Sequence, residues 1–449
     1  MMAPSNPQSL SGRLTTVLLL AAILPLIDSS LVNVLLPAIG ADLDGTASHI
    51  QLGISGYMLA ATVGIVVSTT TLRKFGARRV FIASVLMFAA TSALVGCSWT
   101  LGVFIAARVL QGAACGFIMP AVQQIAVDVV GKDGRREALA TIGLPAVIAP
   151  AFGPLLGGAL ADAIGWRALF LLNVPVGLAA LALAKGLLPT ADITGHQLGI
   201  GQAVPATLGM VGLLWGITIA GRGNATVTLL LLTAAVVCLT CFCVLDVRAT
   251  TPLLDVTLYG RLAFTTVMVL CLIVGAVFYG TLLSTSLHVQ ADFGRPAWIA
   301  GVMLGIQGVG AWAARSLIKG PGKSVDAFAV IGAGLVLAAV GTMGVQLMSQ
   351  WAGITIAVIA VSSLVRGLGL GACTLLALSA AYEVVDEDRA PAVGAHTRLM
   401  LQLGGALGTA AVGVWGGSAP QLGFTVAAAA GAGAVVAWAL PLVRRARGA

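Results

Sequence analysis

The chain has 449 residues, of which 59% are hydrophobic and only 9% charged, with a mean hydropathy of +1.03. Soluble domains carry about 25% charged residues, so a water-soluble globule is excluded and lipid must form part of the solvent. The formal net charge of +8 lies in short segments between apolar runs. It forms no basic run with interleaved aromatics, so it reads as an orientation signal and not as a nucleic-acid interface.

A spanning helix needs about 20 predominantly apolar residues. The first apolar segment is long and holds Asp28 and Pro37, so it reads as a retained first span and not as a cleaved leader. In chain order, the pattern predicts fourteen spans, near 14–40, 50–72, 79–98, 101–128, 137–162, 166–188, 198–220, 225–246, 261–288, 296–318, 325–348, 352–382, 390–416 and 420–443. The links are too short for a soluble domain. With the N-terminus placed inside, 18 of the 24 Lys and Arg residues fall on the inner side. Only Arg167, Arg222 and Arg295 fall outside, and Arg108, Arg366 and Arg398 lie within spans. That bias predicts two cytoplasmic termini in a cell (inner) membrane. Trp99, Trp166, Trp298, Trp351 and Trp415 fall at outer span ends, as an interfacial aromatic belt requires.

The two ends of the chain are faintly alike. Leu72-Arg-Lys-Phe-Gly-Ala-Arg-Arg-Val80 and Leu317-Ile-Lys-Gly-Pro-Gly-Lys-Ser-Val325 are basic, glycine-containing links of equal length, and Arg108-Val-Leu-Gln-Gly112 is matched by Arg366-Gly-Leu-Gly-Leu370. The expected fold is an all-α polytopic membrane protein in a 6 + 2 + 6 arrangement. Residues 1–190 form one six-helix half, 191–250 two inserted helices, and 251–449 the second half. Parallel halves around a midplane site are a transporter architecture. The seven cysteines, at 97, 115, 238, 241, 243, 271 and 373, read as small apolar helix residues, since a zinc site needs about four ligands and Cys238, Cys241 and Cys243 have no partner nearby. There is no phosphate-binding Gly-x-x-x-x-Gly-Lys-Ser/Thr loop and no Ser/His/Asp nucleophile set, so an enzyme is not expected, and neither is a cofactor or a metal.

Five stretches carry a family resemblance. They are Leu26-Ile-Asp-Ser-Ser-Leu-Val-Asn-Val-Leu-Leu-Pro37, Phe75-Gly-Ala-Arg-Arg-Val80, Arg108-Val-Leu-Gln-Gly112, Gly153-Pro-Leu-Leu-Gly-Gly158 and Gly165-Trp-Arg-Ala-Leu-Phe-Leu-Leu-Asn-Val-Pro-Val-Gly177. In this order they resemble the major facilitator superfamily, in its fourteen-helix drug/proton antiporter branch, over essentially the whole chain. The resemblance implies a major facilitator fold, gating roles for Gly76, Arg78 and Arg79 in the inner loop, and an antiporter motif at Gly153, Pro154, Gly157 and Gly158. Two departures stand out. The inner-loop signature has an Asp where this chain has Arg73, which removes the usual latch acid and leaves Asp128 as the candidate partner of Arg78 or Arg79. Span 13 reads Leu401-Gln-Leu-Gly-Gly405 where the branch often begins with Arg, and Arg398 lies one turn earlier.

Asp28 is the deepest acid, about 20 Å along span 1 at about 1.5 Å per residue. An intramembrane carboxylate costs on the order of a few kcal/mol, so it needs a role or a partner. It is either the proton carrier of an antiport cycle or one half of a permanent pair with Arg108 or a backbone group. Arg108 shares a helix face with Gln111 and Cys115. It either tunes Asp28, contacts substrate or fixes packing. Candidate substrate-lining residues are Asn33, Gln111, Phe117, Gln124, Tyr279, Gln307, Arg366 and Arg398. For the polar residues Asn33, Gln124, Tyr279, Gln307 and His396, the bland alternative is a satisfied interhelical hydrogen bond, and for the aromatic residues it is core packing. Pro150 and Pro154 are expected to kink span 5, and its glycines to permit close helix contact.

The function expected is a proton-coupled antiporter of amphipathic organic compounds. It would work as a monomer, with the lipid bilayer, the small-molecule substrate and protons as its partners. A dedicated exporter of one natural product or lipid, a facilitator or importer of a small metabolite, and a non-transporting scaffold remain alternatives.

Overall fold

The computed structural model describes residues 10–142, 144–189, 200–220, 225–249, 252–319, 326–348, 355–385, 390–414 and 419–447. Trp351, Trp415, Arg222, the 320–325 link and the side chain of Pro150 lie outside the described residues. The described chain holds α-helices α1 (Gly12–Asp42), α2 (Ala47–Phe75), α3 (Ala77–Gly96), α4 (Leu101–Ile142), α5 (Leu144–Leu171), α6 (Asn173–Ala184) and α7 (Ile200–Ile219). It continues with α8 (Ala225–Arg248), α9 (Leu262–Leu287), α10 (Ala297–Lys319), α11 (Ala327–Met348), α12 (Thr355–Glu383), α13 (Ala390–Val414) and α14 (Ala419–Arg447). A 3₁₀ turn, Val256–Gly260, precedes α9, and a π-helical turn, His288–Asp292, extends it. There is no strand among the described residues. This is what a bilayer demands, because only a helix or a closed barrel satisfies its own backbone in hydrocarbon.

Among the described residues, ten helical segments are long and apolar enough to cross a membrane, and Phe152–Ala161, Gly201–Ile217 and Gly423–Ala439 are shorter apolar helices. The protein is therefore a multi-pass membrane protein. α13 meets neither measure, because His396, Thr397, Arg398 and Gln402 interrupt it. It packs against α9 on one side and α2 on the other, and a helix shielded from lipid can carry polar residues.

Packing follows one pattern twice. In the first six helices α1 pairs with α5, α2 and α3 pair with α4, and α6 lies on α1 and α3. In the last six, α9 pairs with α13, α10 and α11 pair with α12, and α14 lies on α9 and α11. The two groups meet along α2–α13 and α5–α10, seams that exchange under the same correspondence. α7 and α8 pack on each other, with α7 against α2 and α13. There Val66, Ala206, Met210 and Leu399 share an apolar cluster. On α8, Leu229, Leu230, Val236 and Val237 are exposed, an apolar surface stable only against lipid.

Single glycines make two of the sharpest corners. Gly76 joins α2 to α3 at φ 78°, ψ 150°, and Gly165 turns the end of α5 toward α6 at φ 79°, ψ 156°. A Cβ would meet nothing at either position, so the left-handed backbone, and not crowding, selects glycine there. The same conformation at both sites reverses the chain with a single residue. In α5, the departure from helical φ/ψ lies at Gly165 and not at Pro150 or Pro154.

Gly165→Ala and Gly76→Ala are each expected to lower stability by about 1–2 kcal/mol. Gly201→Ala, on an open helical face, is expected to leave stability unchanged or raise it by up to about 1 kcal/mol. Unfolding curves in detergent would measure all three. Equal behaviour of the corner and helix variants would refute the backbone argument.

Candidate functional site

Asp28, Arg108 and Gln111 are all fully buried. Arg108 Nη1 donates to Asp28 Oδ2 at 2.5 Å and to Gln111 Oε1 at 2.5 Å. Gln111 Nε2 donates to Asp28 Oδ1 at 3.1 Å and to Ser92 Oγ at 2.6 Å. Asn173 Nδ2 donates to the same Asp28 Oδ1 at 3.1 Å. The guanidinium carbon of Arg108 lies 4.2 Å from the centre of the Tyr57 ring and 5.4 Å from that of Phe170. The cluster therefore joins α1, α3, α4 and α6, with an α2 ring beneath the cation. Such closure is what a charge in hydrocarbon requires: an opposite charge, hydrogen bonds on both carboxylate oxygens and an aromatic face.

The cluster reaches the seam through the next residue of α1. The Tyr279 hydroxyl of α9 sits against the Ser29 side chain. Asn33, buried one turn further on, donates to the backbone oxygens of Ser29 at 3.1 Å and Ser30 at 3.4 Å, and its own Oδ1 has no partner. Phe117 of α4 is half-buried against the core. Arg398 is half-buried on α13, within electrostatic reach of Cys115 on α4 and Tyr382 on α12.

α5 presents glycine on two sides. A Cβ on Gly153 would fall 2.6 Å from the Ser30 Cβ, and one on Gly157 3.0 Å from the Leu31 Cβ, both on α1. A Cβ on Gly158 would fall 2.6 Å from the Ala297 oxygen on α10, and one on Gly301 2.6 Å from the Pro154 oxygen. The motif thus lets α5 lie closely on its own group and on the opposite one together. At the same end, Gln290 of the π-helical turn donates to the Val34 oxygen of α1 at 2.9 Å. The Trp166 indole donates to Asp42 at 2.9 Å, Arg167 pairs with Asp42, and Arg167 donates to the Ser98 oxygen at 3.0 Å.

At the opposite end the expected pairing of Asp128 with Arg78 or Arg79 does not form. Asp128 accepts from Gln124 one turn earlier at 2.7 Å, and both side chains are exposed. This i, i+4 contact on one helix face is local and needs no distant partner. Arg73 instead donates to the Pro252 oxygen at 3.4 Å, across the link that leads into the second group. Asp246 accepts from Leu253 N at 2.6 Å on the same link. His396 approaches the Tyr259 hydroxyl at 3.3 Å. Burial pushes that hydroxyl well above the usual tyrosine range.

Sequence reasoning missed Ser92, Asn173, Tyr57 and Gln290. Asn173 stood inside the Gly165–Gly177 stretch, which was the available signal for it. The others are ordinary residues of apolar helices until their partners are known.

A model of the Major Facilitator Superfamily matches residues 18–409. The chain belongs to that superfamily. Superfamily relatives include the tetracenomycin C resistance and export protein of Streptomyces glaucescens, 29% identical over 400 residues, covering 86% of this chain and 72% of the relative. A multidrug resistance protein B homolog of Mycobacterium tuberculosis is 28% identical over 424 residues, covering 90% and 75%. The multidrug export protein EmrB of Haemophilus influenzae is 29% identical over 295 residues, covering 64% and 58%. Among solved structures, a peptide transporter POT in complex with sulfate superposes with a TM-score of 0.73 at 13% identity, covering 97% of this chain and 96% of that one. That likeness shows the fold alone. As a member of the superfamily the chain is a transporter and not an enzyme.

Removing one partner of a buried pair strands the other charge. Arg108→Met is expected to cost about 3–5 kcal/mol, and the double variant Asp28→Leu/Arg108→Met to recover most of it. Thermal unfolding followed by size exclusion reads both. A double variant no better than Arg108→Met would show that packing, and not charge, holds the cluster.

Proposed function

We propose that the protein exports amphipathic organic compounds across the cytoplasmic membrane in exchange for protons. It works as a monomer through fourteen crossings, with both termini in the cytoplasm and α1–α6 and α9–α14 as the two moving halves. Residues 1–190 and 251–449 hold these halves, and 191–250 hold the inserted pair. The printed names of the relatives in Streptomyces, Mycobacterium and Haemophilus support drug or antibiotic export. The basic residues, 18 on one side against three on the other, support the orientation.

The observation that carries the coupling is the Asp28 carboxylate, fully buried and held by three donors from α4 and α6. A proton on Asp28 cancels the charge that holds Arg108 and leaves Gln111 and Asn173 facing a neutral acid. The three helices tied through that carboxylate, α1, α4 and α6, then lose their common anchor. Ser29, its neighbour on α1, faces Tyr279 of the other half, so a shift of α1 is felt at the seam. Proton entry from outside therefore favours return of the emptied carrier to the inward-facing state, and release inside restores the pair. In this cycle Asn33, Phe117, Gln124, Tyr279, Gln307, Arg366 and Arg398 contact substrate, and Gln111 serves the proton site. Gly76, Arg78, Arg79 and Asp128 act at the inner gate, with Pro150, Gly153, Pro154, Gly157 and Gly158 at the α5 seam. The membrane potential contributes about 2.3 kcal/mol per charge per 100 mV.

Everted vesicles with a pH-sensitive dye test the reading over a panel of amphipathic compounds. A compound that collapses the proton gradient in the parent and not in Asp28→Asn is the expected result. Equal responses in both would make Asp28 structural and overturn the coupling scheme.

A further inference from the structure

The second half carries a buried cation that lacks the counter-charge Asp28 gives Arg108. Arg366 on α12 is fully buried, as is the adjacent Gln307 at 2% exposure. Its Nε donates to Gln307 Oε1 at 3.0 Å, and its Nη2 donates to Thr285 Oγ1 at 2.6 Å and approaches Ser363 Oγ at 3.4 Å. No carboxylate among the described residues pairs with it. α12 occupies the place of α4, α9 that of α1 and α10 that of α2. Where α1 brings Asp28 to Arg108, α9 brings the hydroxyl of Thr285 to Arg366, and where α2 brings the Tyr57 ring, α10 brings an amide.

Two donors are left over. Arg366 Nη1 and Gln307 Nε2 are buried and have no hydrogen-bond partner. The amide orientation is fixed by chemistry, because a guanidinium only donates, so Oε1 must face it and the NH₂ must face away. Arg108 also has unpartnered nitrogens, but its charge is matched by Asp28 and its plane is covered by rings. Arg366 has neither. A buried guanidinium without a counter-ion is strongly unfavourable, and its own unsatisfied Nη1 together with the Gln307 Nε2 calls for an acceptor that carries negative charge.

We propose that Arg366 and Gln307 form an anion-binding site whose occupant is a monovalent oxyanion or halide, with Thr285 and Ser363 setting the guanidinium plane. α9 and α10 touch α1 and α5 of the other half, so the site lies on helices of the seam. The carboxylate or phenolate of an acidic amphiphile is the occupant during transport, and inorganic chloride fills the same site in its absence. Assignment to cargo rests on the exporter reading above; anion binding itself does not.

The test uses the purified full-length protein in lipid nanodiscs, with thermal stability as the readout at constant ionic strength. Probes are chloride against gluconate, a carboxylate whose polyhydroxyl chain is too polar to enter a site buried among apolar helices, and 2-naphthoate against the neutral 2-naphthamide. The parent is expected to be stabilised saturably by 2-naphthoate and not by the amide. Gln307→Met should weaken the apparent affinity about tenfold, the size of one lost hydrogen bond to a charged group. Arg366→Gln should abolish the effect, and Gln307→Met and Thr285→Val decide the matter if that variant does not fold. Competition between chloride and naphthoate, or a response to either alone, supports the site and tells which source fills it. No anion response in the parent, equal responses to acid and amide, or a response unchanged in Gln307→Met overturns it. Asp28→Asn should keep the anion response, so proton antiport unchanged in Asp28→Asn with anion binding intact would remove the coupling scheme and leave this site standing.

Discussion

Hydrocarbon does not tolerate an unmatched charge, and the first half of the molecule is organised around that constraint. Asp28 and Arg108 neutralise one another, but neutrality alone leaves lone pairs and N–H groups unpartnered. Gln111 fills the space between them by accepting from the cation and donating to the anion. Asn173 takes up the remaining demand at the carboxylate, and the Tyr57 and Phe170 rings cover the guanidinium. Three helices, α1, α4 and α6, therefore owe their relative rotation to one carboxylate, and α3 is tied to them through Ser92. A group so placed is costly as a passive strut, since apolar packing of equal volume holds helices at least as well.

The repeated packing gives this cluster an incomplete counterpart in the second half. Both halves put an Arg from the fourth helix of the half against the first and second helices. The first half supplies an acid and an aromatic ring. The second supplies Thr285 and Gln307, which satisfy geometry but not charge. The two halves thus divide their electrostatics, one closed on itself and one open to an anion. Between them, α5 is thinned by glycine on both sides, so that it touches α1 and α10 at backbone distance. Movement at this seam is limited by few side chains, which suits sliding contact.

Much of this was legible in the sequence. Low charge and long apolar runs dictated membrane helices. The rarity of charge within those runs singled out Asp28, Arg108, Arg366 and Arg398, and the Gly153–Gly158 stretch marked a close contact. α13 shows the limit of such reading. Its polar residues place it below the hydropathy of a spanning helix, and only its neighbours reveal why it can afford them. Gln111 and Gln307 read as cavity-lining polar residues, yet both are buried against arginines. Asp128 stood one turn from a simpler partner, Gln124.

Composition and periodicity by themselves determined that the chain is a bundle of lipid-solvated helices and which residues are too polar to sit there without a purpose. Tertiary structure alone decided the partners. It joined Asn173 to Asp28 and Ser92 to Gln111 and Asn173, tied Asp42 to Trp166 and Arg167, and left Arg366 without an acid among the described residues. The physical reason is that hydropathy reports each residue's preference for lipid. Which polar groups meet depends on the depth and rotation of every helix, and those are set by small-residue contacts between segments far apart in the chain.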